Sequence, residues 1–401
     1  MKNKIAVGID IGTYQVKVIV TEQESGGKSP LPQIIGMGYA ESKGLRHGYI
    51  INQSDAIRSI RKAVKQAEKS SGIHIEKAFI SIGGIGLSSY KTQGEIIISR
   101  ADSEITEIDI EKASEEALRQ IPSTISMNHE IIHKIPLEYK IDNKVVLGDP
   151  IGMKGNKLSV SMLFVNCLTH HVNELISSIE SSGIEILDAV AAPIAAGIVN
   201  LSRTERIAGC VMVNIGSETV STIVYEEDVP ISIEVFKVGS SNITNDIALG
   251  MQVSIEEAEK LKRKDIEYNA TPSFKKTPDG KLQAIITHRL EKVFDLVEEQ
   301  LKRIDRNGLL PAGIILTGGG SGINNADELA KASLKLPSRV ASIANHRIAN
   351  SSNNLKVKDS TWSVAYGLCA YGTTFEEEAE SGFNIFKKFK YLRKMIRKIM
   401  P

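Results

Sequence analysis

The chain has 401 residues, of which 42% are hydrophobic, so it is long enough to bury more than one hydrophobic core. Its 49 basic residues nearly balance its 48 acidic ones and aromatic residues make up 5%, which gives no reason to expect a nucleic-acid partner. It contains no run of about 18 apolar residues that could span a membrane, and its three scattered cysteines form neither a metal-ligand spacing nor a disulfide framework, as expected in a reducing cytoplasm.

The first predicted element is a β-hairpin at residues 5–20, which turns tightly at residues 10–13. Glycine at position 12 lets backbone N–H groups approach an anion closely, while Thr13 and Gln15 offer polar contacts. Carboxylate oxygens together with water suit Mg²⁺, so Asp10 is the predicted metal residue, acting through water. The hairpin alone is a weak signal, because many hairpins turn on the pattern Asp-x-Gly.

The strand–turn–strand pattern recurs about 200 residues later, at residues 209–226. Again a buried strand ends in a polar residue followed by Ile-Gly, small hydroxyl residues and a second strand. One copy in each half of the chain predicts two similar domains that face each other across a phosphate. Between the copies, strand-like alternation at residues 94–99 and 158–165 brackets a helix-like stretch at residues 107–120.

Residues 285–304 have the period of an amphipathic helix. Its apolar side consists of Leu290, Val293, Phe294, Val297 and Leu301. The preceding residues 265–283 are polar and irregular and include a Thr-Pro-Asp-Gly turn, so they are predicted to form a disordered loop.

A third glycine-rich element lies at residues 313–330, where an apolar strand runs into three consecutive glycines at 318–320. A helix capped near Asn324 or Asn325 is predicted to follow. Consecutive glycines after a strand indicate backbone that lies against a flat ligand or its phosphate. Each of the three elements is compatible with an ordinary turn, but the three in this order are specific.

The last nineteen residues, 383–401, carry seven basic groups and no acidic one. On a helix their large apolar side chains fall mainly within one arc of about 140°, which predicts an amphipathic helix in the boundary of an anionic membrane. The residues predicted to contact the membrane are Ile385, Phe386, Phe389, Leu392, Met395, Ile396, Ile399, Lys387, Lys390, Lys394 and Lys398. A partner's groove or the protein's own core are the alternatives for this helix. Removing its seven basic residues from the 49 leaves 42 against 48 acidic ones, so the body of the protein has no net charge that would hold it to such a membrane.

The two turns and the glycine run resemble the phosphate-1, phosphate-2 and adenosine motifs of the actin–Hsp70–sugar kinase superfamily. Five further segments look like the bacterial FtsA family: residues 44–54, 80–89, 104–109, 135–142 and 148–158. The resemblance covers nearly the whole chain, including the amphipathic tail. It implies an α/β, actin-like ATPase fold with two similar domains flanking a nucleotide cleft, an FtsA-type 1C insertion and a C-terminal amphipathic helix.

The resemblance also implies a division into subdomains. Subdomain 1A takes residues 1–83 and returns at 164–204 and 355–375, 1C takes 84–163, 2A takes 205–238 and 306–354, 2B takes 239–305, an acidic linker takes 376–382 and the membrane-targeting helix takes 383–401.

By the same resemblance, the cofactors are ATP and Mg²⁺, and fifteen residues bind them. They are Asp10, Gly12, Thr13, Tyr14, Gln15, Asn214, Gly216, Ser217, Glu218 and Thr219 around the phosphates, Gly318, Gly319 and Gly320 at the adenosine, and Glu259 and Lys262 at the ribose and base. Relatives usually have Asp where this chain has Asn214, and Gly-Gly where it has Ser217-Glu218. Phosphoryl transfer needs metal charge neutralisation and a positioned nucleophile, so hydrolysis is predicted to be very slow or absent.

The function implied is that of an ATP-loaded protein that polymerises and ties the tubulin-like division protein FtsZ to the cytoplasmic face of the membrane at the division site. In FtsA relatives the C-terminal peptide of FtsZ docks on 2B, and Arg289 is the residue predicted to pair a peptide carboxylate. A PilM-like pilus-assembly protein of the same fold is the alternative. A small-molecule kinase is a third alternative. Such a kinase needs a catalytic Asp for the acceptor hydroxyl, and the sequence offers no candidate for it.

Overall fold

A computed structural model gives the structure of the chain and describes residues 4–24, 31–270, 280–342 and 360–379. The predicted amphipathic helix at 383–401 and residues 380–382 of the predicted linker lie outside these ranges. Residues 376–379 of the linker belong instead to the last helix of the described chain. Within the described ranges, no helix combines the length and the apolar character needed to cross a membrane.

The described residues form sixteen strands. They are β1 (Lys4–Ile11), β2 (Gln15–Gln23), β3 (Gln33–Glu41), β4 (Leu45–Arg46), β5 (Tyr49–Ile50), β6 (Lys77–Ile82), β7 (Ser88–Ile97), β8 (His129–Ile141), β9 (Lys144–Val146), β10 (Lys157–Leu168), β11 (Glu185–Ala191), β12 (Cys210–Ile215), β13 (Val220–Glu226), β14 (Val229–Phe236), β15 (Gly313–Thr317) and β16 (Ser338–Val340).

Eleven α-helices accompany them in the same ranges. They are α1 (Gln53–Ser71), α2 (Glu107–Arg119), α3 (Ser123–Ser126), α4 (Thr169–Ser181), α5 (Ala192–Asn200), α6 (Arg203–Ala208), α7 (Ser240–Met251), α8 (Ile255–Ala270), α9 (Gly280–Arg303), α10 (Ala326–Leu334) and α11 (Ser363–Ala379). Short 3-10 turns lie at Gly319–Gly322 and Ser360–Trp362.

Two five-stranded sheets share one topology. The first has the order β3-β2-β1-β6-β11 and the second β14-β13-β12-β15-β16. In each sheet the first three strands are antiparallel, and the last two join them in parallel. The duplication predicted from the two strand–turn–strand segments is therefore confirmed, and each copy forms the central hairpin of its own sheet.

Helices cover both faces of the first sheet, which explains why its strands read as nearly continuous apolar runs. On one side α1 packs so closely that a Cβ on Gly38 would come within 2.1 Å of the Ala63 carbonyl oxygen. On the other side α11 approaches β1, and a Cβ on Gly8 would lie 2.2 Å from the Ala365 oxygen. Ile9 and Val18, in the middle strands, are fully buried.

The segment between β6 and α4 forms a separate α+β unit. Its sheet has the order β7-β10-β8-β9, α2 packs on it, and Ala113, Ala117 and Phe164 belong to a core of its own. Thr106 begins α2 through a capping box in which its backbone N–H donates to the Asp109 carboxylate at 2.9 Å. The strands predicted at 94–99 and 158–165 and the helix at 107–120 are confirmed, although β7 begins six residues earlier and ends at Ile97, and β10 extends the predicted 158–165 at both ends.

The long helix predicted at residues 285–304 is confirmed as α9, which begins five residues earlier at Gly280. The loop predicted at 265–283 is wrong at both ends, because α8 continues to Ala270 and α9 already includes residues 280–283. Leu282 is buried one turn before Ile286, so the apolar face of α9 extends toward its N-terminus. Residues 265–270 are polar but contain no Gly or Pro, and polar composition alone does not end a helix.

The two halves meet along α5 and α11. A Cβ on Gly367 of α11 would come within 1.8 Å of the Ala195 carbonyl oxygen of α5, so the two helices cross in direct backbone contact. The N-terminus of α5, at Ala192 and Pro193, and the residues before α11, Ser360 and Thr361, line a cavity between the two sheets. The fold therefore places its main cleft where the turns of both central hairpins meet.

Candidate functional site

The cleft holds a cavity of about 750 Å³. Thirteen of the fifteen residues predicted to bind a cofactor line it: Asp10, Gly12, Thr13, Tyr14, Gln15, Asn214, Gly216, Ser217, Thr219, Glu259, Lys262, Gly318 and Gly319. They come from the first hairpin, the second hairpin, the start of the 3-10 turn after β15 and helix α8. Segments that lie far apart in the chain thus converge on one concave surface.

The first turn occupies residues 12–14, because β1 and β2 pair as far as Ile11 and Val16. This is slightly later than the predicted turn at 10–13, and it leaves Asp10 at the end of a strand. The Gly12 N–H donates to the Gln15 carbonyl oxygen at 3.2 Å, and the Ser42 hydroxyl donates to the Gly12 carbonyl at 2.6 Å. The turn is therefore held in shape by hydrogen bonds before any ligand binds.

Asp10 has the environment of a carboxylate that would gain from a nearby cation. Burial raises its pKa, and this effect exceeds the opposing influence of Lys17 and of the Ser81 hydroxyl, which donates to Oδ1 at 2.9 Å. No group of three or more His, Cys, Asp or Glu side chains in the described chain could form a metal site by itself. A metal ion here would therefore depend on Asp10, water and ligand phosphates, a donor set that fits Mg²⁺.

The second turn, residues 216–219, repeats the geometry of the first. The Gly216 N–H donates to the Thr219 carbonyl oxygen at 2.9 Å. The turn is also docked on the start of α7, because the Ser241 N–H donates to the Ser217 carbonyl and the two serine hydroxyls lie 2.8 Å apart. A Cβ on Gly239 would lie 2.4 Å from that same carbonyl oxygen, so this approach requires glycine.

Two of the predicted binding residues do not line the cavity, Glu218 and Gly320. The Glu218 side chain turns away and accepts a hydrogen bond from the His47 backbone N–H at 2.5 Å. Gly320 is buried behind the second turn, where a Cβ would lie 2.4 Å from Cγ2 of Ile215. The first therefore bridges to the other half of the protein, and the second is a packing position.

The glycine run after β15 presents backbone to the cavity. Gly318 has a φ of +84°, and a Cβ there would lie 2.2 Å from Oδ1 of Asn214. At Gly319 the nearest atom to an added Cβ is Cγ2 of Thr361, at 3.8 Å. Gly318 is thus required by its neighbours, whereas a Cβ at Gly319 would make only an ordinary van der Waals contact.

Glu259 and Lys262 form a charged cluster on the wall of the cavity. The Lys262 ammonium group pairs with Glu259 and donates to the Thr244 hydroxyl, both at 2.7 Å. Burial lowers the pKa of Lys262, and Glu259 partly offsets this. Burial alone would raise the pKa of Glu259, but its hydrogen bonds from Lys262 and Thr244 lower it overall.

Several lining residues are missing from the sequence prediction. Arg263 of α8 pairs with Glu259 at 3.0 Å and donates to the Tyr14 hydroxyl at 2.5 Å, a contact that spans the cleft. Lys17 and Ser81 also line the cavity. The register of the hairpin, which sets Lys17 opposite Asp10, could have identified Lys17. Ser81 and Arg263 carry no local signal.

Arg289, predicted as a contact for a partner peptide, lies outside the cavity lining and between two helices. Its guanidinium group binds both carboxylate oxygens of Asp246 on α7, at 2.5 and 2.8 Å. The side chain is 23% exposed. A peptide carboxylate would therefore have to share or displace Asp246.

Comparisons with known proteins agree with this geometry. A family model described as "Cell division protein FtsA" matches residues 211–367, and one described as "SHS2 domain inserted in FTSA" matches residues 84–166. Among solved structures, the PilM-PilN type IV pilus biogenesis complex has a TM-score of 0.67 at 18% identity, covering 92% of this chain and 98% of that one. MreB 5 of Spiroplasma citri bound to AMPPNP has a TM-score of 0.55 at 13% identity, covering 96% and 100%. These likenesses establish the actin-like fold.

Curated relatives extend the agreement to nearly the full length. The cell division protein FtsA of Pseudomonas aeruginosa is 27% identical over 395 residues, which cover 94% of this chain and 91% of the relative. FtsA of Bacillus subtilis is 30% identical over 386 residues, which cover 92% of this chain and 83% of the relative. The chain therefore belongs to the FtsA family of cell division proteins.

Proposed function

We propose that the cleft binds ATP together with Mg²⁺. The observation that carries this proposal is that the two glycine turns, one from each duplicated sheet, border the same cavity as Gly318 and Gly319. In that arrangement the turns at 12–14 and 216–219 hold the phosphates, and Asp10 holds the metal through water. A volume of about 750 Å³ lies within the usual range for small-molecule sites, about 300–1,000 Å³.

The remaining lining residues fit the nucleoside end of the ligand. The backbone of Gly318 and Gly319 contacts the adenosine, and Glu259 and Lys262 reach the ribose and the base. The fold of an MreB structure with bound AMPPNP supports this assignment by analogy, since that fold extends over 96% of the present chain. The bound metal would neutralise phosphate charge, while the residues of this chain position the nucleotide.

The proposed cellular role is that of an adaptor at the division site. The nucleotide-loaded protein self-associates into actin-like filaments through subdomains that include 1C. Subdomain 2B binds the C-terminal peptide of FtsZ, and the amphipathic helix at 383–401 holds the assembly on the cytoplasmic face of the membrane. Membership of the FtsA family and the charge pattern of the tail support this role. A pilus-assembly role would rest on likeness of fold alone, and the basic tail gives no reason to prefer it.

A vesicle flotation experiment tests the adaptor role. The full chain is mixed with ATP, Mg²⁺, a labelled FtsZ C-terminal peptide from the same genome and vesicles that contain about one third anionic lipid. We expect the peptide to float only when the protein is present. The double substitution Phe389→Glu with Ile396→Glu should leave both protein and peptide unfloated, because two charges on the apolar face oppose burial among acyl chains.

Two results would contradict the proposal. Flotation of the doubly substituted protein would remove the tail as the membrane anchor. If the unsubstituted protein floats but the labelled peptide in the same sample does not, FtsZ is not the partner. The substituted and unsubstituted proteins must have the same thermal unfolding midpoint for their flotation to be compared.

A further inference from the structure

The tight turn between β4 and β5, at His47 and Gly48, lies at a junction where several distant segments of the chain meet. It lies beside both turns that border the cavity and beside both connections to the α+β unit of residues 84–166, named the insertion from here on. No function assigned above uses His47 or Gly48. Their contacts on each side indicate what the junction does.

Toward the cleft, the turn contacts both halves of the protein. The Gly48 N–H donates to the Thr13 hydroxyl at 3.1 Å, which ties it to the first cavity turn. The His47 N–H donates to Oε2 of Glu218 at 2.5 Å, and the His47 ring lies 3.7 Å from the same oxygen. Since Glu218 belongs to the second cavity turn, a change in the distance between the halves must strain or break these contacts.

Toward the insertion, the same turn contacts the segment where the chain enters it. The Ile85 N–H donates to the His47 carbonyl at 3.3 Å. Gly48 and Gly84 touch so closely that a Cβ on Gly48 would lie 2.4 Å from the Gly84 Cα atom. The chain therefore contacts the turn at Gly84 and Ile85, just before β7 begins at Ser88.

The segment where the chain leaves the insertion joins the same cluster. The ring of His171, which follows β10, packs on the ring of Tyr49 with centroids 4.5 Å apart. Its Nε2 atom lies 2.9 Å from the Gly83 carbonyl oxygen, within hydrogen-bond distance. Both connections of the insertion are thus fixed to the residues next to Gly48.

The backbone of the junction is left-handed at three positions. His47, Gly48 and Gly84 all have left-handed φ angles, at +51°, +85° and +89°. Glycine adopts such angles readily, whereas the conformation of His47 is uncommon for a residue with a side chain and is held by contacts with its neighbours. Glu218 supplies one of those neighbours from across the cleft.

We propose that the His47–Gly48 turn transmits closure of the cleft around a nucleotide to the insertion, with Glu218 as the positioning residue that links the halves. The proposal rests on nucleotide binding in the cleft. The link depends on the Glu218 side chain, since a residue too short to reach the His47 N–H could not make this contact. The coupling is therefore a property of this chain's second cavity turn.

Hydrogen–deuterium exchange of the full chain, with and without saturating MgATP, tests the proposal. The readout is exchange in residues 84–97 and 163–171. We expect ATP to slow exchange there at least about fivefold in the unsubstituted protein, the lower end of allosteric couplings. In Glu218→Ala this ATP-dependent change should fall below about twofold, whereas Glu218→Gln, whose amide oxygen still accepts from the His47 N–H, should retain most of it.

Glu226→Gln is the matched control. Glu226 is 34% exposed against 29% for Glu218, and its ion pair with Arg306 at 2.7 Å stays within the second half. It should leave the ATP-dependent change intact.

A full ATP-dependent change in Glu218→Ala would overturn the proposal, and so would the absence of any change in the unsubstituted protein under conditions where ATP binding is measured directly. Absence of ATP binding itself would overturn the proposed function as well, so the two failures are distinguishable. Each variant is compared at its own saturating ATP concentration.

Discussion

The first two of the three glycines that follow β15, Gly318 and Gly319, are adjacent in sequence but differ in how much space surrounds them. Gly318 has a left-handed φ and faces Oδ1 of Asn214 and the Ile215 carbonyl, both within 2.7 Å of an added Cβ. Gly319 faces Thr361 at 3.8 Å, which is an ordinary van der Waals distance. Only at Gly318 would a substituted side chain both require a strained backbone and collide with neighbouring atoms.

We predict that Gly318→Ala lowers the free energy of unfolding by about 1–3 kcal/mol, through a strained φ and displacement of Asn214. Gly319→Ala should change it by less than about 0.5 kcal/mol, the usual range for a substitution without a specific mechanism. Urea unfolding of the nucleotide-free proteins measures both. Equal destabilisation by the two substitutions would contradict the different roles of these glycines.

The cavity residues divide into those that a local pattern predicts and those that it does not. Asp10 and Gly12 follow from a short motif because the chemistry of an anion-binding turn requires adjacent residue types. The orientation of the Glu218 side chain depends on His47, which is 171 positions away in sequence. A local sequence pattern therefore cannot predict this orientation. The sequence places Glu218 correctly in the second cavity turn. It does not show that the side chain points away from the cavity, toward His47.

Among the helices, α9 was predictable and the end of α8 was not. The apolar period of α9 reflects a face that packs on the core, and Leu290, Val293 and Phe294 on that face are buried. The part of α8 beyond residue 264 has a polar sequence without such a period, and polarity describes both an exposed helix and a loop. Hydrophobic periodicity in a sequence reflects a buried face, so it predicts a helix best where one face of that helix is buried.

The ion pair between α7 and α9 makes a sharp test of the predicted FtsZ contact. If Arg289 pairs a carboxylate of the peptide, Asp246→Asn should strengthen peptide binding, because it releases the guanidinium group from a charged partner. Arg289→Glu should weaken binding at least about tenfold, as expected for loss of one charge-assisted hydrogen bond worth about 1.5–3 kcal/mol. Fluorescence anisotropy of the labelled peptide measures both affinities.

Weaker peptide binding in Asp246→Asn would instead indicate that Arg289 has a structural role. If Arg289 serves only to join α7 to α9, both substitutions disturb the same helix pair and both should weaken binding. Thermal unfolding of each variant then shows whether the loss follows stability. Weaker binding in both variants would remove Arg289 as a direct contact and leave the rest of the 2B surface open to test.

The two sheets with one topology explain why a cleft exists at all. Each central hairpin ends in a turn, and the crossing of α5 and α11 brings the two turns to opposite sides of one cavity. The sequence predicts this arrangement because the duplicated motif is visible in the chain. The junction at His47 depends on contacts between distant segments, which a single sequence does not reveal.

The composition of the cavity favours binding over hydrolysis. In the described part of the chain its acidic lining residues are Asp10, Glu256 and Glu259, and Glu259 is already paired with Lys262 and Arg263. The start of α5 presents Ala192 and Pro193 to the cavity, and neither side chain can orient an attacking water. Phosphoryl transfer needs both charge neutralisation and an oriented nucleophile.

We therefore predict that ATP turnover stays well below about 1 s⁻¹, the low end for working kinases. Asn214→Asp should raise it by about tenfold, equivalent to about 1.4 kcal/mol in the barrier, because a carboxylate at this cavity position adds a ligand charge for the metal. Asp10→Ala should abolish the remaining activity. The measurement is steady-state phosphate release by the full chain with Mg²⁺. Turnover above about 1 s⁻¹ that disappears in Asp10→Ala would show that the cleft, despite Asn214 and the apolar start of α5, is built to hydrolyse its nucleotide.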